Sequence, residues 1–188
     1  MIVAGVDEAG RGPLAGPVIA AAVILHPDQF ISGLADSKQL SPNRREELFH
    51  YITNSCLAWA VGRADVHEID QLNILQASLL AMTRAINKLT TKPNKILIDG
   101  NQVPNNPYPS KAIIRGDQTV PVISAASIVA KVLRDREMVL YDAYYPEYGF
   151  AQHKGYGTKR HLEAIRKYDI TPIHRRSFVP CINNHDEQ

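Results

Sequence analysis

The stretch Asp7-Glu8-Ala9-Gly10-Arg11-Gly12-Pro13-Leu14-Ala15-Gly16-Pro17 constrains the fold more than any other part of the sequence. An interior glycine costs a helix about 1 kcal/mol and an interior proline about 3 kcal/mol, so no helix runs through it. It lies between two short apolar runs, 2–6 and 18–25, whose length and Val/Ile content suit strands. The chain therefore opens as strand, glycine-rich turn, strand, with two adjacent carboxylates where the first strand ends.

Downstream, Ser41-Pro42 reads as a helix start, with serine as N-cap and proline in the first turn, leading into a helix over 44–53. A strand over 57–66 follows. Leu72, Leu75, Leu79, Met82, Ile86 and Leu89 recur at spacings of three and four, which predicts one helix over 70–89. Short strands at 95–98 and 112–115 end at Asp99-Gly100 and Gly116-Asp117. A long helix is predicted over 125–144, and Thr158 caps a last one through Arg166. Strands come first as a meander and then alternate with helices, which indicates an α/β domain with a mixed sheet covered on both faces. One domain over 1–180 is expected, with a frayed tail over 181–188.

The 188 residues suffice for one substantial core. No apolar run approaches the roughly 18–20 residues that span a bilayer. Cys56 and Cys181 form no metal or disulfide pattern, which fits a reducing cytoplasm. A cytoplasmic, monomeric protein without a membrane partner is expected. The net charge of +2 conceals an asymmetry: seven Lys and Arg lie between His153 and Phe178, against Glu163 and Asp169 alone. Such a basic region, about 145–180, is either a solvated face or a grip for an anionic partner.

Asp7, Glu8, Asp99 and Asp117 all fall at or just after strand ends, where loops of an open α/β sheet converge on one crevice. Singly, such acids often serve as turn or cap residues. Together they form a costly cluster unless a cation compensates, and oxygen ligands without cysteine or histidine favour Mg²⁺ or Mn²⁺. Neighbours on a regular strand point to opposite faces, so Asp7 and Glu8 are expected to share a site only where the pleat breaks. Gly10-Arg11-Gly12 is either a tight turn or a backbone that approaches a sugar or phosphate closely, with Arg11 as a phosphate clamp.

At this point the sequence closely resembles the bacterial ribonuclease HII family, from Val3 to about Phe178. The match includes 7–17, Asp36-Ser37-Lys38, 97–101, Gly116-Asp117, 124–132, 153–158 and His174-Arg175-Arg176-Ser177-Phe178. The resemblance implies a ribonuclease H-like fold with a five-stranded sheet and a helical C-terminal region. It implies that Asp7, Glu8, Asp99 and Asp117 are the catalytic, metal-binding acids, that the Gly10-Arg11-Gly12 backbone senses a ribose 2′-hydroxyl, and that Tyr156 lies against the sugar on the deoxy side of an RNA–DNA junction. The implied activity is cleavage of the RNA strand of RNA–DNA hybrids, and incision at single ribonucleotides in duplex DNA, giving 5′-phosphate and 3′-hydroxyl ends with two divalent ions.

Three further readings complete the picture. Lys38 is a nucleic-acid contact or a solvated loop lysine. Asp135 sits on an apolar helical stripe, where it either pairs with Lys131 four residues earlier or faces the site from behind the acids. His153, His161 and His174 have no ligand partners in sequence and read as phosphate contacts or structural hydrogen-bonders. Two alternatives stand beside the ribonuclease: another nuclease or phosphoryl transferase of the same fold, which has no need of a 2′-hydroxyl, and a non-catalytic nucleic-acid-binding module.

Overall fold

Strand β2, Val18–Ile24, is buried along its whole length, and its Val-Ile-Ala-Ala-Ala-Val-Ile sequence reads as a run apolar on both faces. Around it a computed structural model, which describes residues 1–28, 30–34 and 40–182, builds one mixed sheet in the order β3-β2-β1-β4-β5. Asp36, Ser37 and Lys38 lie outside the described residues. Strands β1 (Val3–Ala9) and β3 (Ala58–Ala64) flank β2 antiparallel, while β4 (Lys95–Asp99) and β5 (Ser110–Ile113) continue from β1 in parallel. This is the expected mixed five-stranded sheet.

Helices cover both faces. On one lie α2 (Val66–Leu72) and α3 (Ile74–Asn87), packed on Ala20, Ala22 and Ile98. On the other lie α1 (Pro42–Ser55) and α5 (Pro121–Tyr144), packed on Ala21 and Val23. The small side chains of β2 let both layers approach closely. Gly5 of β1 does the same: a Cβ there would collide with the Val122 carbonyl, so the first turn of α5 rests on bare strand backbone.

The caps at Ser41 and Thr158 are present, accepting from the Arg44 and His161 amides. The single helix expected over 70–89 is instead two helices. Asn73, at φ 74°, ends α2 and caps α3 by accepting from the Gln76 amide, and Leu72 leaves the stripe at 42% exposure. The third strand stops at Ala64 because Asp65 and Glu68 form a capping box that starts α2. The buried face of α3 is largely alanine (Ala77, Ala81, Ala85), which the leucine spacing did not reveal.

A third cluster joins the chain ends. Leu14 and Ala15 of the glycine-rich segment pack with Met138 of α5 and with Phe150, Ile165 and Cys181. Phe150 opens α6 (Phe150–His153), Ile165 lies on α7 (Lys159–Tyr168), and Cys181 lies on α8 (Val179–Ile182). Fraying was expected from residue 181, but Cys181 is fully buried and Ile182 completes α8, because Cys181 fills the cluster floor beneath Leu14.

Candidate active site

β1 pairs with β4 only as far as Val6 and Ile98. One register step further, Asp7 and Asp99 face each other across the end of the parallel pair. The pleat of β1 does not break there, since the ladder to β2 runs on through Glu8–Ala20 and Ala9–Ile19. Asp7 therefore points to the α5 face, where the nearby Ser127 hydroxyl favours its charged form, and Glu8 points to the α3 face. The expected requirement for a broken pleat is thus met in another way. The β1–β4 ladder ends at Val6 and Ile98, and past that end the Asp99 charge acts on both carboxyls.

Asp117 comes to the same place from an unexpected element, the single turn α4 (Gly116–Thr119). Arg115 before it adopts the left-handed conformation, at φ 55°. Gly116 lies against Asp99, and the Asp117 amide donates to Asp99 Oδ1 at 3.1 Å. From α5, Ser124 Oγ donates to the Asp117 carbonyl at 2.6 Å. The structure thus brings Asp7, Glu8, Asp99 and Asp117 together at one sheet end.

The electrostatics of this end are unfavourable on their own. Burial, then the Glu8 and Asp99 charges, holds the Asp7 carboxyl well above the usual carboxylate range. Burial likewise pushes Glu8 up, offset by Arg11, whose guanidinium is 3.5 Å from Glu8 Oε1. Among the described residues, the buried Glu8 Oε2 has no hydrogen-bond partner. These are the marks of a site that a cation completes. No three acidic, histidine or cysteine side chains among the described residues converge as a ready ion cage.

Beside the acids opens a cleft of about 360 Å³ bounded by Gly10-Arg11-Gly12, Ser127, Lys131 and Tyr156, with Arg45 from α1 at its rim. Gly12 faces the Tyr156 ring across it: a Cβ on Gly12 would lie 3.6 Å from the ring edge. The Lys131 ammonium is 5.8 Å from the centre of that ring. Lys131 also bonds Asp135 at 2.8 Å, and Arg45 lies 3.9 Å from the same carboxylate, so Asp135 meets the cleft through these two cations.

The three histidines lie inside the C-terminal cluster. His174 Nδ1 accepts from the Thr171 amide, which leaves its Nε2–H to donate to His161 Nε2 at 2.9 Å. His161 Nδ1–H then donates to the Tyr156 carbonyl at 2.9 Å. This tautomer assignment follows from the network. Burial drives the pKa of His161 down to about 4 and that of His174 to about 3, so both are neutral props for the Tyr156 backbone. Arg134 escaped the sequence reading, and Arg175, counted there with the basic region that faces solvent or an anionic partner, is instead buried; both lie fully buried beneath the glycine-rich segment. For Arg134 a signal existed: Ala130, Arg134 and Met138 recur every four residues on a buried stripe, and a charge there called for a partner.

Comparison with known proteins agrees with this architecture. Residues 4–181 match the family model for ribonuclease HII. The chain is 65% identical to the ribonuclease HII of Coxiella burnetii over 96% of this chain and 89% of that protein. It is 58% identical to the ribonuclease HII of a Marinomonas species over 95% of this chain and 90% of that one. Among solved structures, the ribonuclease H2 of Pyrococcus horikoshii superposes with a TM-score of 0.87 at 31% identity, covering 100% of this chain and 98% of that one. With a mixed sheet that gathers four acids at the end of its parallel pair and a family match over nearly its whole length, this chain belongs to the ribonuclease HII family and is a ribonuclease H-type endonuclease.

Proposed function

We propose that the protein hydrolyses the RNA strand of RNA–DNA hybrids and incises at single ribonucleotides in duplex DNA, leaving 5′-phosphate and 3′-hydroxyl ends. Asp7, Glu8, Asp99 and Asp117 would hold two Mg²⁺ or Mn²⁺ ions. The observation that carries this reading is the buried, mutually repelling acid group with the unsatisfied Glu8 Oε2, opening directly onto the glycine-lined cleft. Divalent ions held there would supply an activated water and offset charge on the scissile phosphate. Asp7 and Asp99, at the ends of the paired strands, would be the shared ligands, with Glu8 and Asp117 each completing one side.

The other residues bind and select. The Gly10-Arg11-Gly12 backbone approaches the sugar closely enough to meet a 2′-hydroxyl, the group that distinguishes RNA from DNA at one nucleotide. Tyr156 supports the neighbouring deoxyribose. Arg11 and Lys131 meet backbone phosphates, Lys38 is a further nucleic-acid contact, and the basic C-terminal region grips the duplex without reading sequence. Asp135 keeps Lys131 in place. The enzyme works as a cytoplasmic monomer.

The test is cleavage of a DNA duplex carrying one ribonucleotide, with Mg²⁺, with Mn²⁺ and with chelator, beside an all-DNA duplex. Metal-dependent incision at the ribonucleotide alone is expected. Cleavage of both duplexes would make the protein a general nuclease of the same fold, and binding without cleavage would make it a nucleic-acid-binding module.

A further inference from the structure

The loop that bounds the cleft has little means of holding itself. Gly10 and Gly12 carry no side chains, and Pro13 and Pro17 carry no amide hydrogen. Gly10 stands at φ 97°, which most residues avoid. Binding groups nevertheless need to be fixed to within about 0.5 Å. Backbone bonds fix the loop further along, where the Leu14 and Gly16 amides donate to the Gly155 and Ile173 carbonyls, and two buried guanidiniums hold the carbonyls on either side of that stretch.

Arg175 lies under the loop and donates through Nε to the Gly16 carbonyl at 3.0 Å, through Nη1 to the Arg11 carbonyl at 2.9 Å, and through Nη2 to the carbonyls of Gly10 and Gly16. Arg134, from α5, donates to the carbonyls of Pro17, Ala15 and Lys154 at 2.9 to 3.0 Å. Among the described residues neither forms an ion pair, although both are fully buried. The fit is close, since a Cβ on Gly10 would strike the Arg134 side chain. Arg134 also reaches the Tyr156 wall, through Lys154.

Peptide planarity turns these contacts into aim. In a trans peptide the carbonyl of one residue and the amide hydrogen of the next point in opposite directions within one plane. With the Gly10 and Arg11 carbonyls drawn inward onto Arg175, the amide hydrogens of Arg11 and Gly12 are turned away from it, toward the cleft. We infer that Arg175, with Arg134 behind it, is a positioning residue that aims the Arg11 and Gly12 amides and so sets the enzyme's ability to recognise a ribonucleotide. The inference rests on the proposed 2′-hydroxyl reading of this loop. Neither arginine touches the nucleic acid. Each acts through the loop backbone.

The test uses the full chain with Arg175→Lys, which keeps a charge but cannot fork to three carbonyls, and Arg134→Lys, which spares the Gly10 and Arg11 carbonyls. Amide hydrogen exchange across residues 10–17, the single-turnover rate at one embedded ribonucleotide, and affinity for the matching all-DNA duplex are measured. With Arg175→Lys, exchange at Arg11 and Gly12 is expected to rise while β2 and α3 stay protected. The rate is expected to fall about a hundredfold, as for a misplacement of about 1 Å, with duplex affinity unchanged. Arg134→Lys is expected to act in the same direction and less strongly. If Arg175→Lys does not fold, an Arg134→Lys enzyme with parent exchange at Arg11 and Gly12 and the parent rate overturns the inference. An Arg175→Lys enzyme that cuts at the parent rate, or that loses rate and duplex affinity together, overturns the inference. A parent enzyme that ignores the 2′-hydroxyl overturns the sensing reading instead, and the exchange of Arg11 and Gly12 then decides whether the arginines position the loop.

Discussion

Two regions of this molecule bury charged or titratable groups beside the same glycine-rich segment, and they are built in opposite ways. At the ends of β1 and β4, Asp7, Glu8 and Asp99 are gathered so that burial and mutual repulsion raise the first two carboxyls, and Glu8 Oε2 has no hydrogen-bond partner among the described residues. Beneath the glycine-rich segment, Arg134, Arg175, His161 and His174 are as deeply buried, yet every guanidinium nitrogen meets a backbone carbonyl and the histidines form a directional chain. Burial pushes Arg175 down to about 9, which leaves it charged at neutral pH. On the proposed function the acid site is left incomplete for an ion and a substrate, whereas the base region is complete in itself and serves as the mould for the loop above it. A satisfied polar network rigidifies its surroundings, and an unsatisfied one marks where something binds.

If this comparison holds, neutralising the two regions shifts stability in opposite directions. The largest effect belongs to the bases. Arg175→Met would leave the carbonyls of Gly10, Arg11 and Gly16 buried without their donor, and a loss of about 3 kcal/mol or more is expected by denaturant titration. An unchanged midpoint would break the comparison.

The next effect is pH dependence. The folded pKa values of His161 and His174 lie below the unfolded value, so the unfolded state binds more protons between the two. Stability contributed by their neutral burial is full above about pH 6.5 and is lost as pH falls toward about 4 and 3. The expected loss approaches about 1.4 kcal/mol per pH unit for each histidine only well below pH 6.5, and is about 2 kcal/mol for the pair between pH 6.5 and 5.5, seen as a fall in Tm. The acids act in the reverse sense: with folded pKa values raised, they favour the folded state more as pH falls and they protonate. A His161→Gln variant with a flattened acid limb would isolate the histidine contribution.

A smaller effect, of opposite sign to the first, is expected at the acids. Asp7→Asn removes the most strongly raised carboxyl and should raise Tm without divalent ions, while Mn²⁺ stabilises the parent more than the variant. The smallest belongs to the exposed rim, where Arg11→Ala breaks only a solvent-screened contact with Glu8 and should change stability by less than about 1 kcal/mol.

Much of this contrast was legible in the sequence on the acid side and little on the base side. Asp7, Glu8, Asp99 and Asp117 announce themselves because carboxylates at strand ends are a local pattern, and the glycine-rich segment between apolar runs fixes the start of the sheet. The meeting of Asp7 with Glu8 was harder, because it depends on where β4 stops pairing, a property of two strands about ninety residues apart in sequence. The break at Asn73 was missed because leucine spacing runs through it undisturbed, while the asparagine side chain caps the next helix instead. Arg134 and Arg175 look like surface charges in a linear reading, and only the carbonyls they meet, more than a hundred residues away, give them a role.

The central claim is that the acids serve cleavage and that duplex binding is carried elsewhere. The most direct measurement is Asp99→Asn, assayed for cleavage at a single ribonucleotide and for affinity to the same duplex. A loss of about a hundredfold or more in cleavage rate with affinity retained is predicted, as for removal of a group that stabilises charge in the transition state. Equal losses of cleavage and binding, or cleavage at the parent rate, would contradict the account.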